Sequence, residues 1–162
     1  HPGARGWRQT EYENYVLHEV LPLSYQINGN SFVMTAGASF GAYHAVDLGL
    51  RHPGTINRAI GMSGIYDISR WASGYSDDNI YFHNPVAYIT NEHDWGRLAR
   101  LRNDLDIILA VGGGDSLRGS SEALSTALWN KGIGNALRIW DGWAHDWPWW
   151  HQMIRLYVGG SD

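Results

Sequence analysis

The segment Gly37-Ala38-Ser39-Phe40-Gly41 constrains the fold of this chain more than any other part of the sequence. It has the pattern G-x-S-x-G and lies between a short apolar, β-prone segment and a segment of helical composition. A serine on a sharp turn between a strand and a helix stands at the carboxyl edge of a sheet, where its hydroxyl is accessible. We expect Gly37 and Gly41 to leave the room that this turn requires. The alternative interpretation is a glycine-rich connection with an ordinary serine.

Hydrophobic periodicity and turn residues predict a βαβ unit around this serine. We expect a first strand over residues 31–36, a helix that ends near Arg51 and a second strand over residues 56–62. A strand, a helix and a strand within about thirty residues are typical of parallel pairing. Two further apolar segments, residues 105–111 and 136–140, predict the next strands. The sequence therefore predicts an α/β fold with a parallel sheet of about four strands flanked by helices.

The rest of the chain alternates between helical and irregular segments. Residues 1–10 are predicted to form an irregular arm, and residues 11–25 a helix that Pro22 bends or ends. Further helices are expected over residues 85–88 and 95–102, after Ser120 or Ser121 as N-cap, and over residues 147–158 with Pro148 in the first turn. Because no repeat or domain boundary is visible, we expect a single domain over residues 1–162. Within it, residues 65–104 are expected to be an irregular, substrate-covering region.

Composition and charge exclude several classes of protein. With 162 residues, 44% of them hydrophobic and 17% charged, the chain is long and apolar enough to form a globular core. A net charge of −4 gives no basic surface for nucleic acid, and no apolar run approaches the ~20 residues of a membrane span. The absence of cysteine excludes disulfides and thiol chemistry. Residues 1–5 lack the pattern of a signal peptide, so we expect a cytoplasmic location.

Three reactive side chains follow three of the predicted strands. Ser39 follows the first strand, Asp115 the third and His145 the fourth. Parallel strands bring their carboxyl ends to one edge of the sheet, so these side chains should meet there. The order serine, acid, histidine is that of the α/β-hydrolases. We expect Ser39 to be the nucleophile, His145 the base that takes its proton, and Asp115 the group that orients the imidazole. This chemistry needs no cofactor.

The acid in this set has alternatives. Asp115 is also compatible with a simple turn after three glycines. Asp67, which follows the second strand, is the best alternative acid. Asp141 and Asp146 are close to His145 in sequence, but close neighbours in a loop rarely face one another.

The other histidines predict neither a second base nor a metal site. His44 lies inside the helix after Ser39, where packing or surface exposure is the expected role. The spacing of the remaining candidates is not that of standard metal ligands. We therefore expect no metal at His83, His93, His145 or His151.

A set of short motifs spread over nearly the whole chain shares one resemblance. The motifs are Gly37-Ala38-Ser39-Phe40-Gly41-Ala42-Tyr43-His44-Ala45, Arg51-His52-Pro53, Ser63-Gly64-Ile65-Tyr66-Asp67, Tyr81-Phe82-His83-Asn84-Pro85, Gly113-Gly114-Asp115, Lys131-Gly132-Ile133 and His145-Asp146-Trp147-Pro148-Trp149-Trp150. They resemble the Putative esterase family of the α/β-hydrolases, which includes feruloyl esterases and mycolyltransferases. The resemblance implies ester hydrolysis, with Ser39, Asp115 and His145 as nucleophile, acid and base.

Such enzymes usually have further strands and helices before the segment that begins here, and this difference bears on the site. The resemblance implies that the earlier part supplies one oxyanion donor, so the N–H of Phe40 is the donor expected in this chain. The strand over residues 31–36 would also lack a neighbour on one side, and proteins normally cover or pair such an edge. We therefore expect a homodimer or a larger homo-oligomer, or a cover from residues 1–25.

Aromatic residues are expected to bind the substrate. Trp143 and Trp147 lie beside His145 in sequence, and Trp71 and Tyr81 from the irregular region are expected to form the opposite wall of a site for an acyl or aryl group. The alternative role for these side chains is packing of the last helix against the sheet.

The sequence as a whole predicts a serine carboxylic-ester hydrolase that works through an acyl-enzyme on short-chain or aryl esters. Acyl transfer by the same serine and a non-catalytic, hydrolase-like binding scaffold are the alternatives. The expected ligand is a small ester, with neither nucleic acid nor membrane as a partner.

Overall fold

The centre of the molecule is a four-stranded parallel sheet. In a computed structural model, which describes residues 2–69 and 81–160, the strands are β1 (Met34–Ala38), β2 (Arg58–Met62), β3 (Asp106–Gly112) and β4 (Ala136–Trp140). They pair in chain order, and every pair is parallel. The expected α/β fold, with a parallel sheet of four strands and flanking helices, is confirmed.

Helices connect the strands and flank the sheet. They are α1 (Pro2–Tyr15), α2 (Leu21–Ile27), α3 (Phe40–Arg51), α4 (Pro85–Thr90), α5 (Trp95–Asn103), α6 (Arg118–Asn130) and α7 (Trp147–Val158). Helix α3 joins β1 to β2 and helix α6 joins β3 to β4, as parallel pairing requires. In the described part of the chain, no helix is both long and apolar enough to cross a membrane.

The first strand begins later than the sequence predicted. Residues 31–36 were expected to form it, but β1 starts at Met34. The segment before it is held in side-chain turns, because Asn28 Oδ1 accepts the N–H of Asn30 and Asn30 Oδ1 accepts the N–H of Phe32. Asparagine forms such turns in competition with a strand ladder. Pairing therefore starts only after these turns.

The N-terminal region is more helical than predicted. An irregular arm over residues 1–10 is wrong for the described residues, because α1 begins at Pro2. A π-helical segment, Val16–Val20, then leads into α2, whose first turn contains Pro22. Proline lacks an N–H, so the first turn of a new helix is where it is tolerated. Tertiary contacts hold this region in place, since Glu13 forms an ion pair with Arg51 at the end of α3.

Helix α6 also begins earlier than predicted. Neither Ser120 nor Ser121 is its N-cap, because α6 starts at Arg118. Instead, Asp115 Oδ1 accepts the N–H of Leu117 at 2.8 Å and holds the turn that precedes the helix. The hydroxyl of Ser120 accepts the N–H of Tyr66 at 2.8 Å, so this serine ties α6 to the loop after β2.

The two faces of the sheet carry separate cores. Alternate residues of a strand point to opposite faces. Ile107 and Leu109 of β3 are fully buried with apolar residues of α3, α5 and α6. Ile108, between them, packs with Met153 of α7 on the other face. Burying a side chain of this size contributes about 1.5–3 kcal/mol, so both helical layers fix the position of the sheet edge.

The outer edge of β1 is open within the described residues. Strand β1 pairs with β2 on one side, and the side chains of Met34 and Ala36 are exposed. No strand from residues 2–25 pairs with this edge. That segment contacts the rest of the molecule through the ion pair of Glu13 with Arg51 and through Leu21, which is buried in the core. An open strand edge presents unpaired backbone groups that favour association with another strand.

We propose that a second copy of the chain covers this edge, with the two β1 strands antiparallel across a twofold axis. A contact between the β1 edges of two copies forms a closed dimer. Pairing of β1 with β4 of the next copy would instead build an open-ended assembly. The exposed apolar side chains of Phe32 and Met34 lie beside the contact, and the dimer would bury them.

Sedimentation should therefore show a homodimer, and Ala36→Lys should shift it towards the monomer. A lysine in the middle of an edge strand opposes pairing because its charge would be brought against the partner strand. Ala123→Lys, at an exposed position on α6, is the matched control and should leave the dimer intact. A wild-type chain that sediments as a monomer at every concentration would contradict the proposal.

Candidate active site

Ser39 stands on a strained turn between β1 and α3. Its backbone has φ 54° and ψ −116°, a conformation that costs about 1–3 kcal/mol for a residue with a side chain. The turn is held to the sheet because the N–H of Ser39 donates to the carbonyl oxygen of Met62 at 2.8 Å. This is the turn that the G-x-S-x-G pattern predicted.

Only one of the two glycines is required for space. A Cβ at Gly37 would lie 2.1 Å from the carbonyl oxygen of Gly41, so no other residue fits there without a shift of the turn. A Cβ at Gly41 would meet no atom within 4 Å in the described structure. The expectation that both glycines leave the necessary room is therefore right for Gly37 and wrong for Gly41.

Helix α3 begins directly after the serine. Phe40 is its first residue, so the N–H expected to stabilise an oxyanion belongs to the first turn of a helix. The N-terminal turn of a helix has positive electrostatic potential, which favours negative charge near Ser39. The ring of Phe40 lies against His44 and Tyr43, at centroid distances of 4.4 Å and 5.7 Å. These contacts hold the first turn of α3 in place.

Asp115 and His145 are joined by a hydrogen bond. Nδ1 of His145 lies 2.8 Å from Oδ2 of Asp115, whose side chain is fully buried. The second carboxylate oxygen accepts the N–H of Leu117, so both oxygens are held. His145 is 21% exposed, and with Nδ1 engaged its Nε2 is the nitrogen left for a reacting group. A carboxylate in this position fixes the tautomer of the imidazole and stabilises its protonated form.

The loops that carry these two residues are bonded to each other. The N–H of Gly113 donates to the carbonyl oxygen of Trp140, and the N–H of Gly114 donates to that of Gly142, each at 2.8 Å. The His145 loop crosses the end of β3 so closely that a Cβ at Gly112 would lie 2.1 Å from the carbonyl oxygen of Trp143. The run of glycines after β3 thus allows the His145 loop to lie against Asp115.

The alternative acids lie elsewhere. Asp67 is exposed, and its Oδ1 accepts hydrogen bonds from the N–H of Ser69 and from Nδ2 of Asn84. Asp146 accepts the N–H of Trp147 and caps α7. Among the candidate acids, the structure therefore brings Asp115 to His145.

Trp150 links the His145 loop to the middle of the sheet. Its ring centroid lies 5.2 Å from that of His145, and its Nε1 donates to the hydroxyl of Ser63 at 3.2 Å. Ser63 follows β2, next to the strand that carries Ser39. The sequence placed Trp150 among the aromatic residues near His145 but gave it no specific role.

Among the described residues, the Ser39 hydroxyl makes no hydrogen bond to His145, so the structure shows the acid–base pair and the serine turn separately at one sheet edge.

The aromatic residues predicted to bind substrate separate into groups. Trp143 stacks on His145, with ring centroids 5.6 Å apart, and Trp147 contacts Trp150 at 5.4 Å. Tyr81 instead lines a cavity of about 400 Å³ together with Arg51, Phe82, Tyr88, Asn91, Glu92 and Arg97. Trp71 lies outside the described residues. The structure thus brings Trp143 into contact with His145, whereas Trp147 reaches it only through Trp150, and Tyr81 lines a separate cavity.

His44 and His83 are buried or partly buried histidines that act as packing residues. Burial lowers the pKa of His44, so its ring is neutral near pH 7. His83 is buried between Asp47 and Thr10, which it contacts through its two ring nitrogens. No cluster of potential metal ligands is found among the described residues.

Gly112→Ala should lower any activity of this site by about 10²-fold, because the added Cβ would push the Trp143 carbonyl and move His145. Gly119→Ala is the matched control, since a Cβ there would meet no atom within 4 Å on the described part of α6. The control should keep full activity and gain up to about 1 kcal/mol of stability. Equal activities of the two variants, measured at equal folded fractions, would show that the crossing does not position His145.

Comparison with known proteins agrees with this architecture. The family model described as Putative esterase matches residues 1–155. A ferulic acid esterase is 26% identical with a TM-score of 0.71, over 91% of this chain and 58% of that protein. An S-formylglutathione hydrolase from Agrobacterium tumefaciens is 16% identical with a TM-score of 0.72, over 91% and 55% of the two chains.

A third similar structure is a transferase. The capsule O-acetyltransferase of Neisseria meningitidis serogroup A is 18% identical with a TM-score of 0.52, over 88% of this chain and 61% of that one. The chain thus spans less than two thirds of the length of each of these proteins. The search of curated proteins gave no match. Because the family model covers almost the whole sequence, the chain belongs to the Putative esterase family, within the α/β-hydrolase fold.

Proposed function

We propose that the chain is a serine carboxylic-ester hydrolase that forms an acyl-enzyme on Ser39. The observation that carries the proposal is the 2.8 Å hydrogen bond between Asp115 and His145, at the sheet edge where Ser39 occupies its strained turn. A buried carboxylate on Nδ1 leaves Nε2 to move a proton, which is the arrangement that activates a serine hydroxyl. Membership of the Putative esterase family supports the same reaction class.

The proposed reaction has two halves. Oγ of Ser39 attacks the ester carbonyl while Nε2 of His145 takes the hydroxyl proton. The tetrahedral intermediate collapses when the bond to the alcohol oxygen breaks, and His145 returns the proton to that oxygen. Water then attacks the acyl-enzyme with His145 as base, and Ser39 is released with the carboxylic acid. Asp115 stays ionised throughout and stabilises the imidazolium.

The negative charge on the intermediate needs hydrogen-bond donors. The N–H of Phe40 is the proposed donor, because Phe40 directly follows the nucleophile and begins α3. Removal of one donor from an oxyanion site costs about 10²–10³ in rate. A second donor would therefore be worth a comparable factor, and a segment that pairs with the open edge of β1 beside Ser39 would be placed to supply it.

The proposed substrates are short-chain or aryl esters. Trp143 and Trp147 are the proposed contact residues, and the similarity to a ferulic acid esterase supports an aromatic group in the substrate. Contact of Trp71 with substrate stays a prediction, as does a cytoplasmic location. For Tyr81, its packing against the core and its edge-to-face contact with Phe82 favour a role in packing.

Acyl transfer to an alcohol is the second candidate function. It is favoured by the structural similarity to an O-acetyltransferase and by the partly exposed His145, which an acceptor other than water can reach. Analysis of the products formed with added alcohols separates the two functions. A non-catalytic scaffold has no need for a histidine held by a buried carboxylate at the same sheet edge as a strained serine.

Hydrolysis of p-nitrophenyl acetate tests the proposal. Ser39→Ala should lower the rate by at least about 10³-fold, because the covalent intermediate can no longer form. Ser24→Ala, which changes an exposed serine on α2, is the matched control and should keep the wild-type rate. Equal rates for wild type and Ser39→Ala, or no hydrolysis above background by the wild type, would contradict the proposal.

A further inference from the structure

A cavity of about 400 Å³ lies at the opposite end of α3 from Ser39. Arg51, the last residue of α3, forms part of its wall, and the twelve residues of this helix span roughly 18 Å at about 1.5 Å per residue. Cavities of about 300–1,000 Å³ are typical of small-molecule sites. Because Arg51 and Arg97 line it together with aromatic residues, we call it the arginine cavity. It is separate from the candidate active site.

The guanidinium of Arg51 is fixed in the cavity wall but is not fully hydrogen-bonded. Its Nε donates to both carboxylate oxygens of Glu13 at 3.0 Å, and its Nη1 donates to the carbonyl oxygen of Phe82. Within the described part of the chain, Nη2 of Arg51 makes no hydrogen bond, although the side chain is only 26% exposed. Donors that are left unpaired away from water are unfavourable. An anion in the cavity would accept these N–H groups.

Arg97 adds a second guanidinium to the wall. Its Nε donates to Oε2 of Glu92 at 2.7 Å, and its Nη1 and Nη2 donate to carbonyl oxygens at the end of α3. Oε1 of Glu92 accepts the N–H of Asp94, so both oxygens of this carboxylate are already engaged. Glu92 in the wall and Glu13 behind it offset much of the charge of the two arginines. The wall therefore suits a monoanion held by hydrogen bonds better than a phosphate dianion.

Aromatic rings form another part of the wall. Phe82 is 53% exposed, and its ring meets that of Tyr81 edge to face, with centroids 5.4 Å apart. Tyr81 packs against the core, and Tyr88 is buried with its hydroxyl bonded to Asp47 at 2.9 Å, so both rings are held in place. Packing does not account for the exposed surface of Phe82. A flat ring is the group that such a wall contacts best, through offset or edge-to-face packing.

We propose that the arginine cavity binds a small aromatic monocarboxylate. The carboxylate accepts hydrogen bonds from the unused N–H groups of Arg51 and Arg97, and the ring packs against Phe82. The planar fork of a guanidinium matches the two oxygens of a carboxylate, which favours this anion over a spherical one. The proposal goes beyond the esterase activity and does not depend on it, because the cavity lies at the other end of α3 from Ser39.

Isothermal titration calorimetry with benzoate and cinnamate tests the proposal. The wild type should bind at least one of these acids, with one molecule per chain. Acetate has the carboxylate without the ring, and benzyl alcohol has the ring without the charge. Each should bind at least about fivefold more weakly than the aromatic acid, because one of the two contacts is missing. Inorganic phosphate should bind no better than acetate.

Two variants of the cavity wall should each weaken binding of the aromatic acid by about five- to tenfold. Phe82→Ala removes the exposed ring, and Arg51→Lys keeps the positive charge beside Glu13 but loses the planar fork. Trp95→Ala and Arg100→Lys are the matched controls, because both residues are exposed on α5 and neither lines the cavity. The controls should keep the wild-type affinity. All affinities are compared at equal folded fractions, measured by circular dichroism.

The candidate active site is the other place where an aromatic acid can bind, because an acid is a product of the proposed reaction. Trp143→Ala, beside His145, separates the two places and should leave the affinity unchanged. A loss of binding in Trp143→Ala, with wild-type affinity in Phe82→Ala and Arg51→Lys, would overturn the proposal. So would equal binding of acetate or benzyl alcohol, or no binding of either acid at millimolar concentrations. Because binding is measured without turnover, failure of the esterase proposal would leave this one standing.

Discussion

The loop that carries His145 lies against the end of β3, and this contact determines where the imidazole can be. Two backbone hydrogen bonds hold the loop to Gly113 and Gly114, and the crossing at Gly112 leaves no space for a side chain. The buried carboxylate of Asp115 follows at once and bonds to Nδ1 of His145. These backbone contacts thus set the relative position of Asp115 and His145 without help from the other side chains of the loop. A pair fixed in this way loses little entropy when it moves a proton.

The strained turn at Ser39 depends on the same sheet. Its N–H is bonded to Met62 at the end of β2, and α3 packs its apolar residues against the sheet below. Both cores are needed to keep the edge rigid, because strain of this kind persists only where surrounding contacts outweigh it. The outer side of β1 is the side of the sheet next to Ser39 that no strand of the described residues supports. A neighbour on that side would stabilise the turn and could also bring a second donor towards the substrate carbonyl.

The sequence predicted the parts of this structure that depend on local pattern. Strand and helix periodicity gave the parallel sheet, and the motif around Ser39 gave the turn. The start of β1 could not be predicted, because the asparagine turns before it compete with strand propensity over the same residues. The helix over residues 2–15 depends on tertiary contacts such as that of Glu13 with Arg51. The position of Tyr81 is also a tertiary property. The triple glycine before Asp115 indicated only a turn, and the close approach of the His145 loop to Gly112 became visible only in the structure.

The most direct test of the proposed nucleophile is covalent labelling with a fluorophosphonate. Intact mass counts the adducts on each chain, and peptide mapping locates the labelled residue. Such a probe reacts with a serine only where a base has activated its hydroxyl. We expect one adduct per chain, located on Ser39, with a labelling rate that falls sharply in Asp115→Asn because the imidazole loses its orienting carboxylate. Absence of an adduct, labelling of a different serine, or an equal rate in Asp115→Asn would contradict it.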